Sequence, residues 1–177
     1  MRVLGLDQGT DTGFAHGEPG GMPISGVIRL GTIKDRGARL NAYRRELLNI
    51  VVANSIGKIV FESPWEGPAT SNAQRRVSYG LIAVIRMVAA QSNVRCDEIS
   101  PSEWRKKFGA PTNAPRSVKD YDERRKLIKA GTVRRCRALG YAPRSDDEAD
   151  ATGIWWASCN HILQPIIEPS FEFVGAA

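Results

Sequence analysis

Two short apolar runs in this chain of 177 residues each stop at a single carboxylate. The first is Arg2-Val3-Leu4-Gly5-Leu6, closed by Asp7; the second is Lys58-Ile59-Val60-Phe61, closed by Glu62. Short apolar runs bounded by Gly and Pro read as buried strands. A third acidic group, Asp146-Asp147-Glu148-Ala149-Asp150, opens a segment with helical spacing. Asp147, Asp150, Ala151, Ile154, Trp155 and Ser158 fall on one stripe, so the face that buries Ile154 turns both acids toward the sheet. Carboxylates gathered in one partly buried place repel each other and resist losing water. A bound cation reverses that balance, and four carboxylates suit a hard divalent ion such as Mg2+. A slip of one residue would make Asp146 the inward acid in place of Asp147. Ser145 and Glu148 also have the spacing of a capping box, under which Asp146 and Glu148 only decorate a helix start.

The segments between the acids set the order of elements. Residues 13–17 and 26–33 read as second and third strands, with Pro19, Gly20 and Gly21 turning between them. Helical spacing over 36–54 places Leu40, Tyr43, Leu47, Ile50 and Val51 on one side. The strand at 58–62 is followed by a loop over 63–70, a helix over 73–91 and a fifth strand over 94–99. Ser100-Pro101 opens a short helix through Trp104 and Phe108, and Pro111 and Pro115 make 110–117 a loop. A basic helix is predicted over 121–139, with Gly131 as a point of division, and a final helix over 145–163. Three strands, a helix, a strand, a helix, a strand and then helices make an α/β fold. We expect a mixed five-stranded sheet, its first three strands antiparallel, flanked by helices. One domain is expected over 1–164, with a tail over 165–177.

Charge is unevenly distributed. The chain carries +6, yet residues 103–144 hold 13 Lys or Arg against 4 Asp or Glu, leaving the remainder net acidic. A basic segment beside an acidic pocket suits a polyanionic substrate, although a solvated basic helix has the same composition. Cys96, Cys136 and Cys159 are odd in number and unclustered, and only His16 and His161 accompany them. A disulfide framework and a zinc site are therefore not expected. Asp7 interrupts the N-terminal run before signal length, and no apolar stretch reaches membrane-spanning length. The expectation is a cytoplasmic protein.

The order Asp7, Glu62, then Asp147-x-x-Asp150-Ala151 resembles the catalytic signature of the RuvC-type Holliday junction resolvases, within the ribonuclease H-like (retroviral integrase) superfamily. The resemblance runs from Arg2 to about Ser158 and includes Ile99-Ser100-Pro101, similar to a Ser-Pro turn after the family's fifth strand. It implies a ribonuclease H-like fold and an endonuclease cutting branched DNA as a homodimer. It also implies two Mg2+ ions, with Mn2+ as a substitute, held by Asp7, Glu62, Asp147 and Asp150. Trp65, three residues after Glu62, matches an aromatic that inserts at the junction centre; as a plain reading it is a loop anchor. Arg105, where the family has a lysine, and the adjacent Lys106 and Lys107 match a first basic position. Lys126 corresponds best to a second, and Arg134, Arg135 and Arg137 extend the same basic face toward DNA.

Other readings share parts of this pattern. Asp7-Gln8-Gly9-Thr10 also resembles the phosphate-binding turn of sugar kinases and actin-like ATPases, although 177 residues leave no room for their two lobes. A ribonuclease H-like nuclease acting on RNA, flaps or forks would use the same acids. A non-catalytic DNA-binding module would not need all four.

Overall fold

The computed structural model describes residues 1–64 and 71–159. Its elements are β1 (Arg2–Asp7), β2 (Asp11–Gly17), β3 (Ile24–Arg29), α1 (Arg36–Ala53), β4 (Ile56–Glu62), α2 (Asn72–Gln91), β5 (Arg95–Ile99), α3 (Pro101–Phe108), α4 (Tyr121–Ala138) and α5 (Asp146–Ser158). The strands form one sheet in the order β3-β2-β1-β4-β5. β1 is antiparallel to β2, and β2 to β3, while β4 runs parallel to both β1 and β5. This is the mixed five-stranded sheet expected from the sequence.

Strand alternation decides which side chains meet which helices. Leu4 and Leu6 of β1, with Ile59 and Phe61 of β4, join a core with Tyr43 and Leu47 of α1 and Leu81 and Ile85 of α2. Val3 and Val60 face the opposite way, into a second core with Trp104 and Phe108 of α3, Cys136 of α4 and Ile154 and Trp155 of α5. Asp7 shares its parity with Val3, and Glu62 with Val60, so both acids end their strands on the face covered by α5.

Two glycines bring α5 unusually close to that face. A Cβ on Gly13 would lie 2.0 Å from the carbonyl oxygen of Asp147, and one on Gly5 would lie 2.5 Å from the backbone nitrogen of Trp155. Gly13 is the direct partner of Asp7 in the β1–β2 register. Only hydrogen fits at both places, and the helix carrying the third acidic group is seated against the strand end carrying the first.

Several boundaries differ from expectation. β3 ends at Arg29, earlier than predicted, because its register with β2 runs from His16↔Ile24 to Asp11↔Arg29 and is then exhausted. α4 is continuous through Gly131, whose missing side chain admits the ring of Pro111: a Cβ there would sit 2.2 Å from Pro111 Cγ. α5 is described over Asp146–Ser158, with Cys159 as its C-cap. Residues 160–163 and the tail over 165–177 lie outside the described residues. Among the described residues, no helix is long and apolar enough to cross a membrane.

Candidate active site

The acids named from the sequence converge at one end of the sheet. Burial pushes the Asp7 carboxyl well above the usual carboxylate range, and the negative charges of Asp150, Glu62 and Asp147 raise it further, against the opposing charge of Lys129. A carboxylate responds this way only to charges nearby. Glu62 is also raised, by burial and by Asp150, while an N–H from Trp104 and the charge of Arg105 act against the shift. Asp150 is buried and raised for the same reason, with Arg105 and Lys129 opposing.

Each acid has a structural reason for its place. Asp147 and Asp150 lie one turn apart on α5, whose start is fixed by Ser145, the side chain of which accepts from the Glu148 backbone N–H at 3.1 Å. Glu148 does not complete the expected capping box. It is buried, pairs with the Arg144 side chain at 3.4 Å, and accepts from the Arg144 backbone N–H and the Ser25 hydroxyl, each at 3.2 Å. It therefore ties the start of α5 to β3. Glu62 is held from two sides: its backbone carbonyl accepts from the Gln8 amide, and its carboxylate from Trp104 Nε1.

Two basic side chains of the protein stand among these carboxylates. Lys129 of α4 bonds Asp146 and lies 3.6 Å from Asp147. That contact holds Asp146 below the usual carboxylate range, whereas Asp147 is raised by burial. Arg105 of α3 reaches Asp150 Oδ2 at 3.2 Å, with its guanidinium 4.6 Å from the centre of the Trp104 ring. Thr132 Oγ1 donates to the Ile128 carbonyl, and Asp150 Oδ1 is buried without a hydrogen-bond partner.

Among the described residues, no group of three His, Cys, Asp or Glu side chains forms a ready ion cage. Lys129 pairs with Asp146 and Asp147, and Arg105 with Asp150. The donor set still fits a hard divalent ion: every candidate ligand is a carboxylate. Asp150 Oδ1 makes no hydrogen bond of ordinary geometry, although the Thr132 hydroxyl lies close enough to act against the rise of its pKa, and an under-satisfied buried carboxylate oxygen is a further argument for such a fit.

The basic residues predicted to meet DNA divide into distinct groups. Arg105 is only 17% exposed in its side chain and belongs to the acidic cluster. Lys106 and Lys107 are exposed on α3, Lys107 pairing with Glu103 at 2.8 Å. Lys126 is exposed on α4, and Lys129, one turn later, is the residue that reaches the acids. Arg134 and Arg137 are exposed, whereas Arg135 Nε is committed to the Phe108 carbonyl at 2.9 Å. Trp65 lies outside the described residues.

Sequence reading missed Lys129 and Trp104 as parts of the site. Within a helix already dense in Lys and Arg, nothing marks Lys129 as the inward one. Trp104 reads as an ordinary core residue of a short helix.

The sheet order, the acid-bearing strand ends and the helix laid across them define a ribonuclease H-like architecture. Neither a family model nor a curated protein matches the chain. Solved structures do. RuvC of T. thermophilus in complex with a Holliday junction substrate aligns with TM-score 0.66 at 16% identity, over 89% of this chain and 92% of that one. Another Thermus thermophilus RuvC structure aligns with TM-score 0.67 over the same shares, also at 16% identity. The yeast mitochondrial Holliday junction resolvase Ydc2 aligns with TM-score 0.56 at 15% identity, over 88% of this chain and 77% of that one. At this identity the likeness establishes a shared fold.

Proposed function

We propose that this chain is a divalent-metal-dependent endonuclease that cleaves branched DNA, four-way junctions foremost, by hydrolysing a phosphodiester. The observation that supports this reading is geometric: β1 and β4 lie side by side and end at Asp7 and Glu62, and α5 seats the Asp147 backbone against Gly13, the register partner of Asp7, with Asp150 one turn further on. The fold shared with RuvC structures supports the choice of substrate class.

Asp7, Glu62, Asp147 and Asp150 would hold two Mg2+ ions, or Mn2+ in their stead, with Asp146 in reserve. When bound, such ions activate the attacking water and stabilise the leaving 3′ oxygen. The chain's own residues do the remaining work. The four carboxylates, anchored to the sheet and its covering helix, would fix where the ions sit and thereby where the scissile phosphate is held. Lys106, Lys107, Lys126, Arg134 and Arg137 offer exposed positive charge to the phosphate backbone, which sets position and carries little sequence information. Lys129 and Arg105 offset part of the carboxylate charge. Resolution of a junction needs two cuts related by two-fold symmetry, so the functional unit in this reading is a homodimer.

The test is cleavage of a panel of four-way, forked, flapped and linear DNA and of RNA, with Mg2+ or Mn2+, by wild type and Asp7→Asn. We expect wild type to cut the four-way junction fastest. Asp7→Asn should retain junction binding and lose cleavage. An Asp7→Asn protein that cuts at the wild-type rate overturns the assignment. Preferential cutting of RNA or flaps would keep the chemistry and change the substrate.

A further inference from the structure

We infer that Trp104 is a positioning residue for the acidic cluster, its N–H orienting Glu62 and its ring face seating the Arg105 guanidinium that meets Asp150; this rests on the nuclease reading above. Trp104 is fully buried at the fourth position of α3, a helix started by Ser100 as N-cap and Pro101 in its first turn. Packing alone would account for a large ring in this core. It does not account for where the polar edge goes. Trp has one donor, and that N–H meets the Glu62 carboxylate, 42 residues away at the end of β4. A buried carboxylate that accepts a fixed N–H on one oxygen loses rotational freedom, and its other lone pairs are left toward the cluster.

The ring face serves the second acid. The Arg105 guanidinium stacks 4.6 Å from the ring centre and reaches Asp150 Oδ2 at 3.2 Å. Edge and face together therefore link β4 to α5 through Trp104 and the Arg105 guanidinium stacked on it. The fold makes room for this arrangement at Gly153 of α5, where a Cβ would fall 2.5 Å from Trp104 Cζ3 and 3.1 Å from Phe108 Cδ1. A Cβ at 153 would force the Trp104 ring or the helix to shift. The role matches that of the outer partners that orient carboxylate and imidazole ligands of metal sites.

The test removes the N–H and keeps the ring. Trp104→Phe does so approximately; replacing the indole by benzothienylalanine, with sulfur for N–H, does so without changing shape and serves if Trp104→Phe fails to fold. Mn2+ binding is measured by calorimetry without DNA, and junction cleavage is followed as a function of Mg2+ concentration. We expect wild-type Tm within a few degrees, Mn2+ affinity lowered about tenfold, and cleavage restored by raising Mg2+. Asp150→Asn, a direct loss of ligand, should not be rescued in that way. If wild type binds Mn2+ and cleaves while both Trp104 variants bind Mn2+ equally well, the positioning role is wrong and the nuclease reading stands. If wild type neither binds Mn2+ nor cleaves, the nuclease reading fails, and this inference with it.

Discussion

Gly13→Ala is the most informative single perturbation, because its effect can be worked from the geometry. The new Cβ would lie 2.0 Å from the Asp147 carbonyl oxygen and 2.5 Å from its carbon, both backbone atoms that cannot rotate away. Cβ contacts essentially never fall below 3.0 Å. To accept the methyl group, α5 must retreat or the sheet must bend by about 1 Å, an overpacking strain of typically 1–3 kcal/mol. For a domain of this size about 2 kcal/mol lowers Tm by roughly 4–8 °C. The larger consequence is chemical. The retreat carries Asp147 and Asp150 away from Asp7, and misplacement of reacting groups by about 1 Å can cost a factor on the order of 10² in rate. Gly31→Ala is the control, since its Cβ would meet nothing nearer than 3.7 Å; we expect a change within about 0.5 kcal/mol. Thermal unfolding by circular dichroism and single-turnover junction cleavage read both effects. A Gly13→Ala protein that melts and cleaves like Gly31→Ala would refute the reasoning from close approach. A lowered Tm with an unchanged rate would sever the link between the glycine and the acids.

Two further outcomes are expected. Asp7, Glu62, Asp147 and Asp150 are all raised in the folded protein, so between the unfolded carboxylate pKa, about 4, and their folded values the native state binds more protons than the unfolded state. Their contribution to stability therefore falls as pH rises through that window. In chelator, wild type should lose Tm relative to Asp7→Asn as pH is raised from about 4 to 7, with Asp7→Asn the more stable at neutrality; parallel profiles would count against the cluster. Removing the exposed pair Arg134 and Arg137 should weaken junction binding and flatten the log–log salt dependence by about 0.9 for each phosphate they neutralise. An unchanged slope assigns that face to another role.

Much of this fold is legible in the sequence because the signals are local. Apolar runs ending at Asp7 and Glu62 become β1 and β4, and the stripe from Asp147 to Ser158 becomes the buried face of α5. What is not legible depends on distant partners. The end of β3 is fixed by register with β2, a property of neither strand alone. Gly131 reads as a helix breaker because propensity is a weak prior, and the ring of Pro111 at that spot reverses it. Arg105 matches a basic position toward DNA in the sequence, and its attachment to Asp150 depends on α3 packing against α5. Lys126 and Lys129 differ by one turn of a helix whose inward side is set by its packing against the cluster.

The parity of β1 and β4 has a consequence for how such chains diverge. Adding or deleting one residue inside either strand would flip its terminal carboxylate to the side of Tyr43 and Leu81, where it would be buried without a cation. Substitutions that keep the apolar character are tolerated there, but changes of length are not. Distant counterparts of this protein should therefore be recognisable by counting: an acid an even number of positions after the strand residues that pack under α5, whatever the residues between have become.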